Sequence, residues 1–138
     1  LQPLKIRSSE IWGRSNFYIG IASVESFQKE ASKILLDNHY IVDEYENSAI
    51  ESLIRTKWKI TYQDTAQILT NEYKTRFILI GKIDNKSFRN TNSFQYECYL
   101  RVENYIFDGN NYIENSNSNF IQNENEKIVR RLRGIFNL

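Results

Sequence analysis

Residues 94–104 read FQYECYLRVEN, and their alternation limits what the chain can become. Phe94, Tyr96, Cys98, Leu100 and Val102 take every second position, with Gln95, Glu97, Tyr99, Arg101 and Glu103 between them. A period of two belongs to a strand, whose successive side chains point to opposite faces. One face of that strand must be buried, so the chain has to build a sheet with something packed on one side. Two stretches supply the cover. Val24, Phe27, Ala31, Ile34 and Leu35 recur at helical spacing and predict a helix over about 24–37. Ser23 is placed to cap its first turn, and Asn38 to end it in the left-handed conformation. Near the C-terminus, Asn123 followed by Glu126 is similar to a capping box, and Ile128, Leu132, Ile135 and Phe136 form a second stripe. They predict a helix over about 124–136.

Further strands lie between the helices. FYIGIAS (17–23) reads as an apolar lead-in to the first helix, and HYIVDEY as a short strand before the turn-like ENSA. AIESLIRTKWKITY (49–62) alternates as one strand, with Ile50, Ile54, Trp58 and Ile60 on one face and Glu51, Arg55, Lys57 and Lys59 on the other. Leu53 breaks that pattern. YKTRFILIGKID (73–84) is nearly continuous in apolar residues at its centre, which suits the middle of a sheet. DTAQILTNE and NKSFRNTNS read as polar connections, Asp108-Gly109-Asn110-Asn111 as a tight turn, and ENSNSN as a mobile link. The expected fold is α+β: a three- to four-stranded antiparallel sheet with both helices on one face. Residues 1–16 read as an N-terminal arm or tether and 17–138 as one domain.

A chain of 138 residues suits one such domain and needs neither disulfide nor metal to fold. Its 18 basic and 17 acidic residues leave a net charge of +1, which argues against a non-specific nucleic-acid binder. Cys98 is the single cysteine, so no intramolecular disulfide forms; on the apolar face of its strand it reads as a small core residue. No apolar run is long enough to span a bilayer.

Catalytic patterns are missing from the sequence. His39 is the single histidine and has no metal-ligand partner at helical or hairpin spacing. Asp43, Glu44 and Glu46 gather at a turn, while Glu124 and Glu126 open the last helix, where the dipole favours acids. The five glycines match neither phosphate-loop nor dinucleotide spacing. Asn85-Lys86-Ser87 matches a glycosylation sequon. The expectation is a protein that is not an enzyme and uses no cofactor or metal.

The weave IRTKWKI (54–60) sets Arg55, Lys57 and Lys59 between apolar residues and Trp58. Regular alternation puts Trp58 on the face of Ile54 and Ile60, away from the basic row. Stacking of nucleic-acid bases on Trp58 among the lysines is then ruled out, and a structural strand is expected. The basic row remains a possible site for an anionic partner. The terminal Arg130, Arg131 and Arg133 join it as candidate partner-binding residues, though cations also suit a helix C-terminus.

The order of a helix carrying Ala31 and Leu35, YIVDEY, IESLIRTKW and the Arg76-led RFILI resembles small bacterial envelope lipoproteins. The particular likeness is to domains of the lipoprotein component C of the outer-membrane β-barrel assembly machinery. There a helix precedes a strand of the type Ile-x-Thr-x-Trp, here Ile54-Arg55-Thr56-Lys57-Trp58. The likeness covers roughly 24–103. It implies a helix-grip-like domain, held through a lipidated cysteine upstream of Leu1 and engaging an envelope protein partner without catalysis. The implied place is the periplasm or the outer membrane. The rival expectation is a cytoplasmic module that binds an anionic ligand or nucleic acid through 55–59 and the terminal arginines.

Overall fold

Two long strands, β5 (Thr70–Ile83) and β6 (Gln95–Phe107), pair antiparallel along the middle of the protein. The computed structural model describes residues 16–48, 50–64, 70–83, 95–115 and 119–136. Beside β6 lie β1 (Asn16–Ser23) and the short β7 (Tyr112–Glu114), each covering part of its length. Beside β5 lie β3 (Glu51–Thr56) and β4 (Lys59–Asp64), also end to end, and β2 (Val42–Asn47) closes the sheet against β3. Among the described residues the sheet therefore has seven strands in place of the expected three or four. The excess arises because the neighbours of both central strands are split, and because FYIGIAS forms a strand and not merely a lead-in.

Helix α1 (Val24–Asp37) buries Phe27, Ala31, Ile34 and Leu35, the stripe read from its spacing. Ser23 caps it as expected, accepting from Ser26 N–H at 3.1 Å. Its C-terminal end differs: Asn38 keeps a negative φ, and His39 takes the left-handed conformation at φ 68°. Asn38 instead turns its side-chain amide onto the Ile34 carbonyl at 2.8 Å.

Helix α2 (Asn119–Ile135) starts a full turn earlier than the expected 124. Asn123 and Glu126 are thus interior residues, and Glu126 pairs with Arg130 at 2.6 Å rather than closing a capping box. Ile121, Asn125, Ile128, Val129, Leu132 and Phe136 form its buried face, while Ile135 stays partly exposed.

Both helices cover the same face of the sheet, as the alternation in β6 requires. Tyr96, Cys98, Leu100 and Val102 meet Phe77, Leu79 and Ile54 under them in one core. Phe27 packs edge-on to Tyr96 at 5.5 Å, and Tyr40 edge-on to Phe77 at 4.7 Å. Each fully buried side chain of this size contributes on the order of 1.5–3 kcal/mol. The phenol of Tyr96 keeps its polar tip satisfied in this core through Ser52 Oγ at 2.7 Å and Asn47 Oδ1 at 3.2 Å. Leu53, which broke the alternation, is buried on the opposite face with Ile78 and Ile80.

The expected single strand over 49–62 is broken at its Trp. Arg55 faces Ile78 and Lys59 faces Thr75, so Thr56, Lys57 and Trp58 span the length that Arg76 and Phe77 span opposite. That is a β-bulge, and one extra residue moves every following side chain to the other face. Thr56 mends the ladder there by accepting the Phe77 N–H through its hydroxyl at 3.0 Å. Residues 1–15, 49, 65–69, 84–94, 116–118 and 137–138 lie outside the described residues. With them go most of the arm, the middle of DTAQILTNE, the loop NKSFRNTNS with its sequon, Phe94 and the middle of ENSNSN; the ends of DTAQILTNE belong to β4 and β5.

Candidate functional site

The bulge decides where the side chains of IRTKWKI point. Ile54 and Thr56 face the helices; beyond the bulge Lys59 and Thr61 do, and Ile60 and Tyr62 turn out to solvent, 43% and 61% exposed. Trp58 joins them on the outer face. The expectation that it shares a buried face with Ile54 is overturned, because the sequence period runs unbroken through a backbone irregularity.

The basic row disperses for the same reason. Arg55 lies on the outer face and pairs with Glu44 at 2.5 Å. Lys57 is exposed in the bulge, its backbone N–H donating to Ile41 C=O at 2.8 Å. Lys59 reaches back under the helices, where its ammonium donates to the Asn38 carbonyl at 3.1 Å and lies 4.9 Å from the Tyr40 ring. There it complements the C-terminal end of α1. Among the terminal arginines, Arg130 pairs with Glu126, Arg131 ties α2 to Asp37 of α1 at 3.4 Å, and Arg133 donates to the Tyr18 carbonyl at 3.3 Å. The six candidates form no common site.

A different cluster forms on the outer face, from residues that the sequence did not single out. Lys74 of β5 places its ammonium 4.5 Å from the Trp58 ring centroid, 4.3 Å from Tyr112 and 5.4 Å from Tyr105. Trp58 also meets Tyr105 edge-on at 5.4 Å. The next outward residue of β5, Arg76, lies 4.4 Å from the Trp58 centroid and donates to Glu103 at 2.7 Å. Phe107 packs on Tyr112 at 5.2 Å. The Tyr112 hydroxyl donates to Glu72, and that bond to a carboxylate pushes its pKa up to about 12. Register explains the gathering: Tyr105 faces Lys74 across β5–β6, Glu103 faces Arg76, and Tyr112 faces Phe107 across β6–β7. Cation–π contacts contribute roughly 0.5–1 kcal/mol each at exposed sites.

The helix side offers less. A cavity of about 40 Å³ lies between α2 and the sheet, lined by Tyr40, Lys59, Thr75, Glu124 and Asn125 among others. It has room for water and falls well short of an ordinary ligand pocket. Beside it Asn104 accepts from Thr75 Oγ1 at 2.9 Å and from Asn125 Nδ2 at 3.3 Å, a buried polar knot under α2. Burial pushes the Tyr40 phenol far above its usual range. Cys98 is wholly buried, as its place in the strand suggested, and desolvation pushes its thiol up to about 12. Among the described residues, no group of three or more His, Cys, Asp or Glu is placed to hold a metal, and no helix is long and apolar enough to cross a membrane.

Comparison with known protein families, curated proteins and solved structures finds no match for this chain.

Proposed function

We propose that this domain is a non-enzymatic binding module that engages a protein partner through the outer face of its sheet. The observation that carries the reading is the cluster around Lys74: Trp58, Tyr105 and Tyr112 ringing one ammonium on a face that neither helix covers. Rigid aromatics with an adjacent arginine are the composition of energetically dominant interface residues. Exposed Ile60 and Tyr62 extend the surface along β4. Its charges are balanced, since Arg55 pairs with Glu44 and Arg76 with Glu103. Balanced charge suits a protein surface better than a phosphate backbone, which calls for a basic excess. The anionic-ligand alternative loses support, because Lys59 lies on the other side of the sheet from Arg55.

The cell-envelope setting rests on the resemblance to envelope lipoproteins. In it the domain is an accessory component of an envelope assembly, anchored through an upstream lipid. Two measurements on the full-length gene product in its own host test the reading. Intact mass and membrane fractionation are expected to return a lipid-modified N-terminus in the membrane fraction. Affinity purification is expected to recover a protein with the wild type and with the helix-surface variant Lys33→Glu, and to lose it with Trp58→Ala and Tyr62→Ala. An unmodified cytoplasmic product would overturn the envelope setting. Steeply salt-dependent binding of an oligonucleotide, with no protein lost on Trp58→Ala, would overturn the protein-partner reading.

A further inference from the structure

We infer that the free edge of β4 pairs with β4 of a second copy of this chain, extending the sheet across a two-fold axis. The inference does not depend on the partner proposed above, although Ile60 and Tyr62 belong to both surfaces, and its readout, the mass of the purified chain, involves no partner.

The borders of the sheet are treated differently. Beyond β1 the end of α2 supplies a cover: Ile21 N–H donates to Phe136 C=O at 2.7 Å, and Arg133 Nε to the Tyr18 carbonyl at 3.3 Å. β7 is only three residues long. β2 carries Asp43, Glu44 and Glu46 within six residues, so two copies of it would repel. Among the described residues β4 has no such cover, and it carries no run of like charges. The backbone contact on that side ends at Lys57 N–H to Ile41 C=O, and among the described residues no strand follows β4 outward. Natural proteins normally blunt such an edge. Here two large apolar residues stand exposed on it, Ile60 at 43% and Tyr62 at 61%.

The sequence of β4, KITYQD, is self-complementary in one antiparallel register. A two-fold axis perpendicular to the sheet keeps both helix layers on one side, so facing residues must have the same parity. With the axis at Thr61, Ile60 faces Tyr62 of the second copy, and Tyr62 faces its Ile60. Both pairs lie on the outer face and join an aromatic to a β-branched side chain, a favourable cross-strand combination. Lys59 then faces Gln63 on the helix side, and no like charges meet. Lys59 and Gln63 already have internal partners, the Asn38 carbonyl and the Tyr73 hydroxyl, which leaves the outer pair to set the register. The dimer would bring the two Lys74 clusters onto one continuous face. A pairing of this length is small beside stable interfaces, so the dimer depends on concentration.

Sedimentation equilibrium on the purified chain tests this. The expected result is a mass that rises with concentration from 16.4 kDa towards twice that value. Ile60→Lys and Tyr62→Glu are each expected to weaken association at least about tenfold. The combined variant Ile60→Lys, Tyr62→Glu sets lysine opposite glutamate twice and is expected to recover association. Both positions are exposed, and circular dichroism checks that each variant folds. A wild type that stays at 16.4 kDa across the accessible concentrations overturns the proposal. So does a dimer indifferent to the single variants, and so does a combined variant that fails to recover, which would exclude the register.

Discussion

The guanidinium of Arg76 lies 4.4 Å from the centre of the Trp58 indole while its Nε holds Glu103 at 2.7 Å. This contact exists because the bulge spreads two residues, Lys57 and Trp58, opposite Arg76. It fixes the bulge from the outer side as Thr56 fixes it from the helix side. Trp58→Ala is therefore expected to destabilise the fold by about 1–2 kcal/mol, from a half-buried ring and its cation contacts. A double-mutant cycle with Arg76→Ala should show a coupling of roughly 0.5–1 kcal/mol by urea unfolding. Strict additivity would mean that the indole and the guanidinium merely lie near each other.

Gly20 makes a second prediction. It sits just after the bulge in β1 with φ 122°, and a Cβ there would collide with the carbonyl of Phe136. That carbonyl accepts the Ile21 N–H, so the same close approach docks the end of α2 on the sheet border. Gly20→Ala is expected to cost about 2 kcal/mol or more, through strained backbone and a displaced helix end. The check is the unfolding midpoint, together with hydrogen exchange at Ile21. Gly109 also has positive φ, yet nothing lies within 4 Å of a Cβ there, so Gly109→Ala should cost less.

These positions show what the sequence disclosed and what it concealed. The buried stripe of α1 and the faces of β6 follow from periodicity alone, since core packing demands it. Gly20 inside an apolar run was a readable sign of a strand bulge. The bulge at Lys57–Trp58 left no such sign, because alternation continues through it in letters while the backbone slips by one. Read onward from Ile54 without a slip, the strand would bury Ile60 and Tyr62 and expose Thr61, which is what apolar alternation favours, so the letters argue for a regular strand. The early start of α2 was hidden by Asn125, a polar residue in line with Ile121 and Ile128. The Lys74 cluster depends on register across β4, β5, β6 and β7, which a single sequence does not state.

That same Asn125 enters a third prediction. Asn104, 3% exposed, holds Thr75 and Asn125 together through its Oδ1, while its own Nδ2 finds no partner among the described residues. Asn104→Ala would remove the acceptor that Thr75 and Asn125 share under α2, at a cost of about 2 kcal/mol. Replacing all three by apolar residues of similar volume, Thr75→Val with Asn104→Leu and Asn125→Leu, should cost less than the three single changes added together. Chemical denaturation of the set decides it. Additive losses would show that the three groups do not act as a network.

Cys98 gives a pH dependence. Desolvation raises its thiol from 9.0 to about 12 in the folded protein, whereas the unfolded chain keeps the ordinary value. Below pH 9 both states are protonated, and the thiol makes no pH-dependent difference to stability. Between 9 and 12 the unfolded chain releases a proton that the folded chain retains, so stability falls as pH rises, by up to about a factor of ten in the folding constant per pH unit. Tyr99 and Tyr112, each raised from 10.0 to about 12, add to the decline from pH 10 upward. Cys98→Val removes the part that begins near pH 9, so its stability relative to wild type should be level below that pH and improve from pH 9 to about 10. Urea midpoints across that range measure the difference. In the same protein the thiol should resist alkylation at pH 8 until the fold opens, because the reactive thiolate is the form that burial suppresses. Rapid labelling of the folded chain would show that the β6 core opens far more readily than its packing implies.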